Sequence, residues 1–250
     1  MRLIWFPYAG GGAGGFRPLL SLLSMDIAVD AIQLPGRENR YGLSPINDFD
    51  VVMDMVTAAV DCSGDIPVVF WGHSMGALIA FELCLRLEAR RSALPAKLIL
   101  SGSKPPSVPD DRNFAGLPDD GFIEAIQGLN GTPDDLLSNP EIASVFLPVL
   151  RADFTVAKAA RAKIEGVVDL PIVVLGGDRD PHVTADDLAK WQAHTKKPIS
   201  VKIFPGDHFF IHQNMELVVA YTLSRIGTMI NSHQFSARLK SGNAFPPGGR

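Results

Sequence analysis

The chain has 250 residues, 46 % of them hydrophobic and 20 % charged, with a net charge of −4 at pH 7. That composition excludes a disordered or collagen-like chain, and the length suits one large α/β domain with core enough to enclose a pocket. A slightly acidic chain has no basic field to hold nucleic acid phosphates or anionic lipid.

Two cysteines, Cys62 and Cys84, exclude a disulfide framework and a Cys-based zinc site. No apolar run reaches the roughly 18 residues of a membrane span. The opening Met1-Arg2-Leu3-Ile4-Trp5-Phe6 meets Pro7 and a glycine run too early for a signal peptide. The expectation is a cytoplasmic globular protein with neither a nucleic acid nor a membrane partner.

In chain order, Leu3 to Phe6 reads as a strand, followed by a glycine loop and a helix from Phe16 to Leu23. Ile27 to Ile32 is a second strand, Phe49 to Val60 a helix, and Pro67 to Trp71 a buried strand running into Gly72. Met75 to Arg91 is a long helix rich in Ala, Leu and Glu; Lys97–Leu100, Ile172–Leu175 and Ser200–Phe204 are further strands. Apolar strands without polar alternation, separated by helices, predict a mostly parallel sheet covered on both faces, with ligands at the carboxyl ends of the strands.

Between Ser101 and Leu170 the alternation stops. Helical pieces fall at Asp119–Gln127, Pro140–Val149 and Ala152–Ala162. An insertion this long reads as a lid or binding subdomain, about residues 105–168, within a domain spanning 1–230. Residues 231–250 are polar, end in Pro-Pro-Gly-Gly-Arg and read as a flexible tail.

The chemistry centres on Gly72-His73-Ser74-Met75-Gly76, a G-x-S-x-G pentapeptide between a strand and a helix. Such a turn lifts the serine hydroxyl above the sheet and aims the N–H groups of the next helix at the same point. A serine needs a base and an orienting carboxylate, in the chain order Ser, Asp, His for this fold. After the strand ending at Leu175 comes Gly-Gly-Asp-Arg-Asp-Pro, where both Asp178 and Asp180 qualify by position; Pro181 fixing the loop favours Asp180. After the last strand, Pro205-Gly206-Asp207-His208 puts a histidine where the base belongs. His73 packs beside the elbow, His194 ends a polar helix, His233 lies in the tail, and His182 could line the pocket. His212, four residues from His208, lacks the glutamate of a zinc-binding H-E-x-x-H, so no metal is expected.

A competing signal stands at the front. Gly10 to Gly15 formally satisfies G-x-G-x-x-G, with Asp30 beyond it, as in dinucleotide-binding folds. However, Pro7-Tyr8-Ala9 separates the strand from the glycines. A glycine-rich loop after the first strand equally supplies the second oxyanion N–H of a hydrolase, which accounts for both motifs.

The sequence resembles the type II thioesterases, stand-alone editing hydrolases of nonribosomal peptide and polyketide assembly lines with the α/β-hydrolase fold. The segments that carry the likeness are Phe6-Pro7-Tyr8-Ala9-Gly10-Gly11, Leu34-Pro35-Gly36-Arg37-Glu38, Gly72 to Ala77, Leu150-Arg151-Ala152-Asp153, Gly176 to Pro181 and Pro205 to Phe210. The resemblance implies Ser74 as nucleophile, Asp180 as acid, His208 as base, and an oxyanion hole from the backbone N–H groups of Ala9 and Met75. It implies a helical lid, no metal or organic cofactor, a monomer, and an acyl or peptidyl carrier protein as partner. Arg37, Arg40, Arg151, Arg161 and Lys163 are candidate docking cations. Lys158 to Glu165 and the tail after Asn231 depart from the family pattern. The alternatives are a general carboxylesterase, a chain-terminating fatty acyl thioesterase, or a non-catalytic binding protein on the same fold.

Overall fold

The computed structural model describes residues 1–23, 26–110, 113–129 and 140–240. Six strands run β1 (Arg2–Phe6), β2 (Ala28–Ala31), β3 (Val68–His73), β4 (Lys97–Ser101), β5 (Ile172–Gly177) and β6 (Ser200–Phe204). They form one sheet in the order β2-β1-β3-β4-β5-β6, with every neighbouring pair parallel. Each strand found from its apolar run is present, within one or two residues of the expected ends.

The absence of polar alternation has a direct cause. Along β1, Ile4 and Phe6 enter one apolar cluster while Leu3 and Trp5 enter another on the opposite face. The first face is covered by α2 (Phe49–Ala59), α3 (Met75–Ala89) and α5 (Pro140–Lys163). The second is covered by α1 (Arg17–Leu20), α7 (Phe210–Gln213) and α8 (Met215–Lys240). Strands buried on both faces have no side on which a polar residue is tolerated. The edge strands β2 and β6 are the exceptions, each with exposed positions along its length.

From β1 the chain turns outward to β2, then returns across β1 to β3. The carboxyl ends of β1 and β3 therefore flank the point where strand order reverses, the position at which open α/β sheets bind ligands. The loops after β1, β3, β5 and β6 all leave from that edge.

Two expectations are corrected. The helical pieces Pro140–Val149 and Ala152–Ala162 are one helix, α5, with Pro148 inside it. Proline removes one ladder N–H and disfavours a helix interior by about 3 kcal/mol. The turns after it are held by burial instead: Val149, Leu150, Ala152, Val156 and Ala160 are all packed inside. At the other end, α8 continues through residues 231–240, the first half of the expected tail. No Gly or Pro interrupts that stretch, and adding a residue to an existing helix is cheap compared with starting one. Residues 241–250 of the expected tail lie outside the described residues.

The remaining α-helices among the described residues are α4 (Asp119–Gln127) and α6 (Ala185–Ala189). With α5, α4 builds a third apolar cluster of Phe122, Ile126, Leu129 and Leu150, joined by Phe146, Phe154 and Phe209. No helix among the described residues is long and apolar enough to cross a membrane.

Candidate active site

The β3–α3 junction turns on Ser74, whose φ is +55° and ψ −115°. A left-handed conformation at a residue with a side chain costs on the order of 1–3 kcal/mol. The turn is closed by the Ser74 N–H donating to the Ser101 carbonyl at 2.8 Å. The positions two residues to either side must be glycine: a Cβ on Gly72 would meet the Gly76 carbonyl oxygen at 2.2 Å, and one on Gly76 would meet the Phe6 oxygen at 2.0 Å. The second contact also shows how tightly the elbow sits against the end of β1. Ser74 stands at the helix N-cap without using its hydroxyl to cap it.

That hydroxyl lies 2.9 Å from His208 Nε2, and His208 Nδ1 lies 2.7 Å from Asp180 Oδ2. An ionised Asp180 can only accept, so Nδ1 carries the proton and Nε2 presents a lone pair to the serine. The other carboxylate oxygen, Oδ1, accepts the N–H groups of His182 at 2.9 Å and Val183 at 3.2 Å. Burial pushes the Asp180 carboxyl up. The hydrogen bond and charge of His208, with the N–H and charge of His182, outweigh it and hold Asp180 below the usual carboxylate range.

Asp178, the alternative carboxylate, does something else. Its Oδ1 accepts the Gly206 N–H at 2.8 Å, its own N–H donates to the Phe204 carbonyl at 2.9 Å, and the next N–H, of Arg179, donates to the Gly206 carbonyl at 2.8 Å. It ties the β5 loop to the turn that carries His208. Gly206 takes φ +126° there.

The expected oxyanion donors lie at adjacent strand ends. Met75 is the first residue of α3, where helix N–H groups lack a partner in a preceding turn. Ala9 follows β1, whose Phe6 pairs with Gly72 of β3. Ala9 also lines a cavity of about 230 Å3. Its apolar wall comes from Phe146, Leu150 and Phe154 of α5, and Phe209 next to His208 closes one side.

The other histidines are placed as follows. His73 is fully buried, with Nδ1 2.9 Å from the Ser101 hydroxyl. Burial first, then the charges of His208 and His212, keep it far below the ordinary histidine range, so it stays neutral beside His208. His182 gives its N–H to Asp180, and its ring packs near Phe114. His194 is buried, bridging the Ser107 hydroxyl and the Gly166 carbonyl. His212 packs against Tyr8 and Phe209, and burial lowers its pKa. The side chain of His233 lies outside the described residues. Among the described residues, no group of three or more His, Cys, Asp or Glu could hold a metal ion.

One pairing was not legible in the sequence. Arg37, considered there as a docking cation, is buried in a two-pronged ion pair with Asp153 of α5, at 2.5 and 2.8 Å. Asp153 also accepts the N–H of Gly10 in the loop after β1. Their motifs were visible, but residues 116 apart cannot be paired by local pattern. Of the other candidate cations, Arg151, Arg161 and Lys163 are engaged with Asp119, Asp110 and Asp50 respectively.

A parallel sheet covered on both faces, with a strained serine after β3, a carboxylate after β5 and a histidine after β6, defines a serine hydrolase of the α/β-hydrolase class. Residues 1–225 match the thioesterase domain family. The gramicidin S biosynthesis protein GrsT of Aneurinibacillus migulanus is 37 % identical, over 90 % of this chain and 89 % of that one. The RedJ thioesterase of the prodiginine pathway in Streptomyces coelicolor superposes with a TM-score of 0.82 at 30 % identity, covering 89 % of each chain. The type II thioesterase BorB of the borrelidin cluster gives 0.77 at 30 %, covering 93 % and 91 %. The chain belongs to the thioesterase family, and within it to the type II thioesterases.

Proposed function

We propose that the chain hydrolyses acyl thioesters from the phosphopantetheine arms of acyl or peptidyl carrier proteins, clearing aberrant or stalled groups during polyketide or nonribosomal peptide synthesis in the cytoplasm. The observation that carries this is the unbroken hydrogen-bond chain from Asp180 through His208 to Ser74, beside an apolar cavity. The pathway names of GrsT, RedJ and BorB support the biosynthetic setting.

Ser74 acts as the nucleophile. As its Oγ attacks the thioester carbonyl carbon, its proton passes to His208 Nε2, and Asp180 stabilises the imidazolium through Nδ1. The carbonyl oxygen becomes an oxyanion facing the Ala9 and Met75 N–H groups, each donor contributing about 3 kcal/mol to the barrier reduction. The C–S bond breaks and the thiol leaves with the proton from His208. With a pKa of about 8.5, a thiol leaves more readily than an alcohol or amine, so positioning and oxyanion stabilisation carry most of the work. Water then attacks the acyl-serine ester, giving its proton to His208; Ser74 Oγ departs, regains a proton, and the carboxylic acid is released.

The helical region at about 105–168 serves as the lid. Its α5 side chains Phe146, Leu150 and Phe154 form the wall against which an acyl chain packs. No cofactor takes part, and the enzyme works as a monomer.

The test is hydrolysis of a panel of acyl groups on carrier protein, on free pantetheine and as oxygen esters, with Ser74→Ala as control. Carrier-bound turnover well above the free-thiol rate across several short acyl groups is expected. Equal rates on thioesters and oxygen esters would make the protein a general esterase, and a sharp preference for one fatty acyl length would make it a chain terminator. No turnover on any substrate would return it to a binding role.

A further inference from the structure

We infer that the buried Arg37–Asp153 ion pair is a positioning unit, setting the oxyanion donor of the loop after β1 and registering the acyl-pocket wall against it. The inference rests on the reading of Ala9 as an oxyanion donor.

The loop Tyr8–Gly11 is a tight turn: the Gly11 N–H donates to the Tyr8 carbonyl at 2.9 Å, and Gly10, its third residue, has φ +77°. That is the pattern of a type II turn, which needs glycine at this position. Ala9 is the second residue, so the direction of its N–H follows the plane of the turn. Two polar groups of the turn are held by the ion pair. The Gly10 N–H donates to Asp153 Oδ2 at 2.7 Å, and Arg37 Nη1 donates to the Gly11 carbonyl at 3.1 Å.

The pair itself is fixed from three directions. Arg37 grips both carboxylate oxygens and also donates to the Pro35 carbonyl, so its planar fork has no rotational freedom left. Asp153 is completely buried and Arg37 is 7 % exposed. A buried pair adds little net stability once desolvation is counted, whereas an apolar contact at this place could not orient an N–H. Such a pair specifies geometry.

Its location explains which geometry. Asp153 lies one helical turn beyond Leu150 on α5, and Leu150 packs directly on Gly10; a Cβ at Gly10 would meet Leu150 Cδ2 at 2.5 Å. The helix that forms the pocket wall is therefore pinned to the loop that carries the oxyanion donor. Movement of α5 cannot occur without displacing Gly10 or breaking the pair.

The test uses the full chain with a short acyl thioester of free pantetheine. It also measures the affinity of an acyl-chain boronic acid, whose tetrahedral boronate oxygen occupies the oxyanion site. Asp153→Ala is expected to lower kcat about 100-fold, the effect of losing one oxyanion donor. KM stays within about threefold, the signature of an interaction made in the transition state alone. Boronate affinity falls in parallel with kcat. Asp153→Asn keeps an acceptor for Gly10 and recovers part of kcat. If Asp153→Ala does not fold, Arg37→Lys carries the same comparison, since lysine keeps the charge but cannot grip both oxygens and the Gly11 carbonyl. A lower melting temperature with unchanged kcat, or a rise in KM alone, overturns the inference.

Ala9→Pro separates this inference from the reading beneath it. Proline is favoured at the second position of a type II turn, so the variant deletes the N–H while preserving the turn. Loss of kcat in Ala9→Pro without loss in Asp153→Ala refutes the positioning role and leaves the oxyanion reading standing. Unchanged kcat in Ala9→Pro refutes the oxyanion reading, and the positioning role with it.

Discussion

Asp180 divides its carboxylate between two tasks: Oδ2 meets His208 Nδ1 at 2.7 Å, while Oδ1 is held by the His182 and Val183 N–H groups of its own loop. The carboxylate that orients the His208 imidazole is thus itself held by backbone N–H groups. Asp178, two residues earlier, shapes the Gly206 turn and does not touch the imidazole in this way.

A clear order of mutational effects follows. Asp180→Asn should lower kcat by about 10³–10⁴-fold, because the amide can donate to Nδ1 and favours the wrong imidazole tautomer. Asp178→Asn retains Oδ1 as acceptor for Gly206 and should stay within a few-fold of wild type. Steady-state kinetics of the two variants decide the point; the reverse order would move the acid to Asp178.

Strain at Ser74 predicts a trade between stability and activity. Ser74→Ala and Ser74→Gly both lack the nucleophile and should lose about 10⁴-fold or more in kcat. They should differ in stability. Glycine accepts φ +55° freely, whereas alanine retains the penalty, so Ser74→Gly should be about 1 kcal/mol more stable than Ser74→Ala. In a chain of this size that is a difference of about 2–4 °C in melting temperature. Equal melting temperatures would show that the turn is unstrained.

Three buried or half-buried histidines predict acid sensitivity. Burial holds His73, His194 and His212 all below the ordinary histidine value of about 6.5. Between those lowered values and about 6.5 the unfolded chain binds protons that the folded chain does not, so stability falls as pH drops below about 6.5. Each such proton contributes about 1.4 kcal/mol per pH unit. Asp180 acts in a separate window: its carboxyl is depressed in the fold, so its contribution is complete above the unfolded value near 3.8 and is lost as pH falls through the folded one. Urea midpoints measured from pH 7.5 to 5.5 should decline, and His73→Gln should flatten the slope. An unchanged slope would remove His73 from this account.

The α5 wall predicts a change in acyl preference. Phe154→Ala enlarges the cavity without altering Ser74, His208 or Asp180. The ratio of kcat/KM for longer over shorter acyl thioesters should rise about 10-fold or more, since one methylene in an apolar pocket is worth roughly 1–3 kcal/mol. A uniform loss for all chain lengths would place the acyl group elsewhere.

What could be read from the sequence was whatever chemistry is local. The interior strands β1, β3, β4 and β5 were marked by apolar runs, because a strand covered on both faces is apolar along its covered length. The elbow was legible because glycines at 72 and 76 and a serine at 74 are demanded by backbone contacts within and beside one turn. The placement of a carboxylate after β5 and a histidine after β6 followed from strand order. The structure decided what depends on residues distant in the chain. Ser74 and His208, 134 residues apart, meet only because β3 and β6 end at the same edge of the sheet. Which of two aspartates faces the imidazole depends on the course of a loop that both occupy. Pro148 lies within α5 because tertiary burial of the next turn outweighs a local helix-breaking preference. Arg37 looked like a surface cation because arginine usually is one; only the packed chain brings Asp153 to it, and burial turns a solvated charge into a fixed geometric constraint.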